Sequence, residues 1–363
     1  MQTRVKKIFK NIKNDLDAII IKNFGESSID KNFFYFTNIE QGLFEGSIAI
    51  LYPDGNISLV ISELELELAK KIKADFLVYK NKEEYLKNLK NCLKNTNNIG
   101  LNYNSIPYSE ILRLKKEFNF LKLFDISKEL VKTRRIKDYD EIQKIRDAVK
   151  ISDYVGKKIP DLINSGMYEY ELAAEINYLM QKKGAEKPAF DTISSFGENT
   201  SKPHYTHGDK KLCTNDIVLC DFGACYKRYN SDMTRTFFYK KAESKQKEMY
   251  EVVLNAQKKA FENISPGVKA NKIHEIVDSY INKTKFKGCF IHSTGHSLGL
   301  DVHDGGVSFS SESDVKLEKN MVLTVEPGVY ISGYGGIRIE DDVLITDEGI
   351  EILSKTNRDL KIV

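Results

Sequence analysis

The sequence predicts an α+β protein of two domains: an α/β unit over residues 1–130 and a larger unit over residues 131–363. Three observations carry this. The chain has 363 residues, enough for two full-sized cores. Its first part alternates short β-branched or aromatic runs with polar amphipathic segments. Near residue 130 a basic stretch, LVKTRRIKDYDEIQ, breaks that rhythm, and all six histidines lie beyond it.

The opening MQTRVKKIFKNIKNDLDAIII mixes charge into its apolar positions. It reads as an amphipathic helix leading into a strand, not as a secretory signal. DAIIIKN and NFFYFTN are expected strands. GSIAILYPDGNISLVIS is an expected hairpin around Pro53, Asp54, Gly55 and Asn56. ELELELAKKIK and KEEYLKNLKNCLKN are expected surface helices, with DFLVYK and NNIGLNY as further strands. No glycine-rich phosphate loop occurs in this unit.

The second unit opens on a helix with Ile142, Ile145 and Val149 on one face, for which Asp138 or Asp140 is the candidate cap. Three more helices are expected. One carries Leu172, Ile176 and Leu179 and ends at Gly184. The next carries Met249, Val252, Val253, Ala256 and Ala260 and stops before Ser265-Pro266-Gly267. The last carries Ile273, Ile276, Val277 and Tyr280. Strand-like runs separate and follow them.

Composition narrows the function class. The chain is 41% hydrophobic and 29% charged, as an ordinary soluble globular protein is. A net charge of +3, spread out, gives no electrostatic footprint for nucleic acid or a membrane surface. No apolar run approaches the length of a membrane span. Five cysteines without a CxxC pair fit reduced thiols in a cytoplasmic setting.

The stretch VLCDFGACYKRYNSDMTRT sets Asp221 directly after an apolar run and Asp232 eleven residues on. A buried carboxylate without a partner is costly, so it takes a proton or meets a cation. Glu326 in MVLTVEPGVYI and Glu340 in GGIRIEDDVLIT repeat the oddity. Asp221-Phe-Gly-Ala-Cys-Tyr echoes Glu326-Pro-Gly-Val-Tyr, and each acid is followed by a second, eleven or fourteen residues later. Two hairpins with inward acids are the reading. Taken singly, an acid in a strand is an edge residue or a hydrogen-bonded structural group, and HSTGH is a polar turn lacking the glutamate of HExxH. Together, four carboxylates and the nearby imidazoles make a hard, oxygen-rich set suited to Mn²⁺ or a similar divalent ion. Asp341 and Asp342 read as outward or turn residues, and His274 as a solvent-facing helix residue.

The segments KPHYTHGDKKL, DIVLCDFGACYKRYNSDMTRTF, HSTGHSLGLDVHD, MVLTVEPGVY and GGIRIEDDVLIT resemble, in order and spacing over roughly residues 135–355, the metal-dependent pita-bread peptidases. These include Xaa-Pro dipeptidase (prolidase), Xaa-Pro aminopeptidase (aminopeptidase P), methionine aminopeptidase and creatinase. The first unit is similar to the creatinase-type N-terminal domain. The resemblance implies a pita-bread catalytic domain holding two metal ions, manganese first, cobalt or zinc as alternatives. It puts the metal ligands at Asp221, Asp232, His296, Glu326 and Glu340, with Asp232 and Glu340 shared. It implies His204, His292 and His303 as active-site histidines, Glu326 also as the proton carrier, and Arg338 as the group orienting a carboxylate.

The expected partners are proline-containing peptides, and the expected assembly is a homodimer. Prolidases tend to carry an arginine between the His303 and Glu326 positions; residues 304–325 contain none, only Lys316 and Lys319. The expectation is therefore an Xaa-Pro aminopeptidase, with an Xaa-Pro dipeptidase as the alternative. A metal-free creatinase-like hydrolase or an inactive binding homologue stands further off.

Overall fold

Alternation in the first unit becomes one sheet. The computed structural model describes residues 1–25, 28–72 and 74–363. They divide into two compact units, Met1–Arg134 and Arg135–Val363. The first contains helix α1 (Gln2–Asn11), strand β1 (Ala18–Lys22), α2 (Lys31–Thr37), β2 (Ile48–Leu51), β3 (Ile57–Ser62) and a single turn, α3 (Leu66–Ala69). It continues with β4 (Asp75–Tyr79), α4 (Lys82–Cys92), β5 (Asn98–Leu101), α5 (Tyr108–Glu117), β6 (Lys122–Asp125) and α6 (Ser127–Arg135). The strands form a sheet of order β4-β3-β2-β1-β5-β6. Only β1–β2 and β2–β3 are antiparallel; the other pairs are parallel. The β2–β3 hairpin turns where Asp54 Oδ1 accepts the Asn56 N–H at 2.9 Å.

Two expectations fail here. NFFYFTN is helix α2, not a strand. Every residue from Asn32 to Thr37 is buried, so no periodicity separated helix from strand. The caps were the signal: Asp30 accepts the Asn32 N–H, and Asn38 takes a left-handed conformation at φ 55°. ELELELAKKIK is mostly not α-helix. A 3₁₀ turn at Glu63–Glu65 precedes the single turn α3.

The second unit contains α7 (Tyr139–Leu162), α8 (Glu169–Lys182), β7 (Lys187–Pro188), β8 (Ile193–Phe196), β9 (Ile217–Phe222), β10 (Ala224–Tyr226), β11 (Tyr229–Asn230) and β12 (Met233–Phe238). After them come α9 (Ser244–Asn263), α10 (Ala270–Asn282), β13 (Val322–Val325), β14 (Gly328–Ile331), β15 (Gly335–Arg338), β16 (Asp341–Ile345) and β17 (Ile350–Ile352). Asp138 caps α7 in a reciprocal box with Glu141.

Strand β9 pairs antiparallel with β12, and β13 with β16. Helices cover each pair on one side. Ile151, Val155 and Ile159 of α7 and Leu172, Ile176 and Met180 of α8 pack with Val218, Cys220 and Phe222 of β9. Met249, Val253 and Ala256 of α9 and Ile273 and Val277 of α10 pack with Leu323, Val325, Val343 and Ile345. Because side chains alternate along a strand, these apolar residues turn their sequence neighbours to the other face. Asp221 lies between Cys220 and Phe222, and Thr324 between Leu323 and Val325.

Candidate metal centre

The alternation that sends apolar residues to the helices sends the acids the other way. Asp221 is on β9, opposite Thr234 of β12. Asp232 stands one residue before β12, Glu326 one residue after β13, and Glu340 one residue before β16. Both pairs are clamped by close backbone approach. A Cβ on Gly223 would lie 2.0 Å from the Ser231 carbonyl oxygen, and a Cβ on Gly295 would lie 2.0 Å from that of Thr324. The second approach brings His296 beside β13: the His296 N–H donates to Thr324 Oγ1 at 3.0 Å, and the Glu326 N–H donates to the Thr294 carbonyl at 2.8 Å.

Asp232, His296 and Glu340 present ligand atoms all within 4.8 Å of one another. His296 Nε2 is 3.6 Å from Asp232 Oδ2 and 3.6 Å from Glu326 Oε1, too long for hydrogen bonds. The donors converge without bonding to each other. Asp221, Asp232 and Glu340 are 8%, 5% and 2% exposed. Asp221 Oδ2 accepts from Arg338 Nη2 at 2.6 Å, while its Oδ1 is buried with no hydrogen-bond partner.

Electrostatics report the same crowding. Burial first, then the charge of Glu340, raises the Asp232 carboxyl well above the usual range. Burial and then Glu326 do the same to Glu340. Burial pushes Glu326 up to about 8, against the opposing pull of Arg338. His296 is pushed down to about 3, by burial and then by His303. Without added positive charge this cluster can persist only by holding protons. A convergent carboxylate–imidazole set with an orphaned oxygen fits a hard divalent cation.

Neighbouring side chains fix these donors. Arg338 also donates to Thr234 Oγ1 at 3.0 Å and to Tyr330 Oη at 2.7 Å. Thr234 Oγ1 donates to Glu340 Oε2 at 2.7 Å. His292 is hydrogen-bonded to Tyr330 Oη at 2.9 Å and lies 3.9 Å from Glu326 Oε2. The ring of His303, an exposed residue, has its centroid 4.0 Å from that of His296. His204, exposed, lines a cavity together with His292. His207 instead meets the Thr192 carbonyl at 3.2 Å.

Three readings of single residues are corrected. Asp341 and Asp342 do not point outward; both are fully buried. Strand β16 is covered along its whole length, so alternation gave neither a wet face. Asp341 turns to the helix side and pairs with Arg235 at 2.7 Å. Asp342 turns to the site side and accepts the Asp232 N–H at 3.0 Å. His274 does not simply face solvent; its Nδ1 is 3.0 Å from Thr294 Oγ1. Thr234, Tyr330 and Asp342 were missed as parts of the site. Period 2 from Asp232 and from Glu340 points to Thr234 and Asp342, while nothing in the sequence marks Tyr330.

Residues 143–347 match metallopeptidase family M24, and residues 4–136 match the creatinase/prolidase N-terminal domain. The chain belongs to metallopeptidase family M24. Membership of a metallopeptidase family agrees with the carboxylate–histidine cluster as a candidate site for divalent metal. The chain is 38% identical to the Xaa-Pro dipeptidase of Pyrococcus furiosus, over 94% of this chain and 98% of that one. Its fold matches the prolidase of Pyrococcus horikoshii, with TM-score 0.89, 36% identity and 99% of each chain covered. It also matches an X-Pro aminopeptidase of Thermotoga maritima, with TM-score 0.90, 31% identity, and 96% of this chain and 98% of that one covered. The M24 assignment bears out the expected pita-bread and creatinase-type architecture. Among the expected activities, these likenesses favour the dipeptidase alternative over the aminopeptidase reading.

Proposed function

We propose that the chain is an Xaa-Pro dipeptidase, a metallo-exopeptidase that hydrolyses the bond between an N-terminal residue and a C-terminal proline. The observation that carries this is full-length similarity to Xaa-Pro dipeptidases at 38% identity, combined with the buried donor cluster. Asp221, Asp232, His296, Glu326 and Glu340 would hold two divalent ions, with Asp232 and Glu340 shared. A donor set of four carboxylates and one imidazole favours Mn²⁺, then Co²⁺ or Zn²⁺. When bound, such a pair polarises the scissile carbonyl and lowers the pKa of water at the site.

The chain's own groups do the rest. Glu326 accepts a proton from the attacking water at its Oε atoms and returns it to the proline nitrogen as the C–N bond breaks. His303 and His204 hydrogen-bond the charge that develops on the carbonyl oxygen and at the leaving nitrogen. His292, held by Tyr330, stands 3.9 Å from Glu326, and Arg338 fixes Asp221. The tertiary amide before proline has no N–H, so a site built on carbonyl activation suits it. A homodimer, expected from the resemblance, and a cytoplasmic setting, supported by the odd cysteine count without a CxxC pair, complete the proposal.

The test is hydrolysis of Xaa-Pro dipeptides and Xaa-Pro-Yaa tripeptides side by side, with Mn²⁺ or Co²⁺ added and with chelator. Preference for dipeptides, lost on chelation, supports the reading. Preference for tripeptides returns the aminopeptidase, and turnover that survives chelation points to creatinase-like chemistry.

A further inference from the structure

A dipeptide ending in proline places a carboxylate beside an apolar ring. A dipeptidase therefore needs a cation next to an apolar wall, close to the scissile bond. Residues 304–325 supply no arginine, and Lys316 and Lys319 are exposed, Lys319 being paired with Asp347 at 2.6 Å. Arg338 is committed to Asp221, Thr234 and Tyr330.

A cavity of about 510 Å³ is lined by Lys202, Pro203, His204, Tyr205, Ile291 and His292. His292 joins it to the reacting side, since its ring lies 3.9 Å from Glu326. Pro203, Tyr205 and Ile291 form the apolar wall, and Ile291 is 63% exposed, unusual for a large aliphatic side chain.

Lys202 is the cation of this cavity among the described residues. Among the described residues its ammonium is held by neutral groups, Asn199 Oδ1 at 3.0 Å and the Tyr205 ring at 5.0 Å to the centroid. Among the described residues no carboxylate pairs with it. Both holders are anchored on one fully buried acid: Glu169 accepts from Asn199 Nδ2 at 3.0 Å and from Tyr205 Oη at 2.8 Å. The turn itself is closed by the Tyr205 N–H donating to the Lys202 carbonyl at 3.1 Å. The lysine is thus presented from a fixed platform, with its charge open to an anion.

We propose that Lys202 receives the C-terminal carboxylate of an Xaa-Pro dipeptide, with the pyrrolidine ring against Pro203, Tyr205 and Ile291. This makes Lys202 the specificity-determining residue for chain length, and it rests on the dipeptidase reading. A longer peptide presents an uncharged amide at that position and leaves the ammonium unpaired.

The experiment compares kcat/KM for Xaa-Pro with that for the same compound ending in a carboxamide, in wild type, Lys202→Met and Lys202→Arg. Metal content and circular dichroism check that each variant is intact. Wild type should favour the acid. Lys202→Met should cut the acid-to-amide ratio by about 10–100-fold, mainly through KM on the acid, and Lys202→Arg should keep it. An unchanged ratio in Lys202→Met, beside a wild type that favours the acid, overturns the assignment and leaves the dipeptidase reading standing. A wild type that does not favour the acid overturns both.

Discussion

The cluster of buried acids makes a pH dependence opposite to that of most carboxylates. The perturbation is removal of metal by chelation. In the stripped protein Glu326 is pushed up from 4.5 to about 8, chiefly by burial. Between those values the folded state keeps a proton that the unfolded state has released. Stability therefore falls as pH rises through the window, by about 1.4 kcal/mol per pH unit. Across the whole window the upper bound is about 5 kcal/mol for this one group, a large share of an ordinary domain's stability. Asp232, Glu340 and Asp342 are raised by burial too and act in the same direction. Bound divalent cation favours the ionised carboxylates and removes the penalty. The assay is urea unfolding at intervals from about pH 5 to pH 8, on chelated and Mn²⁺-loaded samples; the difference between the two curves cancels every group outside the cluster. It should widen with pH. A chelated protein as stable at pH 8 as at pH 5, with metal shown to be absent, would mean that the acids are satisfied without a cation.

Three further outcomes are expected. His303→Ala should keep its metal and lose about 10²–10³-fold in kcat, the cost of one transition-state donor; wild-type turnover would make it a loop residue only. Thr234→Val removes the hydroxyl that bonds Glu340 and Arg338, and should weaken metal binding about 10–100-fold in a chelator competition titration. Gln257 on α9 donates to the Val325 and Ile339 carbonyls and to Asp341 Oδ2 at 2.9–3.1 Å, so Gln257→Leu should lower unfolding free energy by about 2–4 kcal/mol; an unchanged urea midpoint would exclude that role.

What the sequence disclosed follows from what each signal is made of. An acid inside an apolar run violates the pattern around it, so Asp221, Glu326 and Glu340 stood out together. Caps and 3.6-residue spacing placed α7 to α10 within a few residues. The aromatic run of α2 failed because a segment buried on every side carries no period, and only its capping residues distinguish it. Asp341 and Asp342 were misplaced for a related reason: in a strand covered on both faces, polarity does not report exposure. One meets Arg235 more than a hundred positions earlier in the chain and the other holds the Asp232 backbone, and no local pattern encodes either partner. Lys202 was invisible because a lysine in a polar loop is ordinary until the fold sets it beside Ile291 and His292.

If Asp221, Asp232, His296, Glu326 and Glu340 are gathered to hold metal, the stoichiometry of bound ion must depend on them. Metal equivalents per chain, measured by elemental analysis after reconstitution with Mn²⁺ and removal of excess, test it most directly in wild type, Asp232→Ala and Glu340→Ala. Wild type should hold two equivalents and either variant should lose both, since a shared carboxylate belongs to both ions. Full wild-type stoichiometry in a folded Asp232→Ala or Glu340→Ala protein would contradict it.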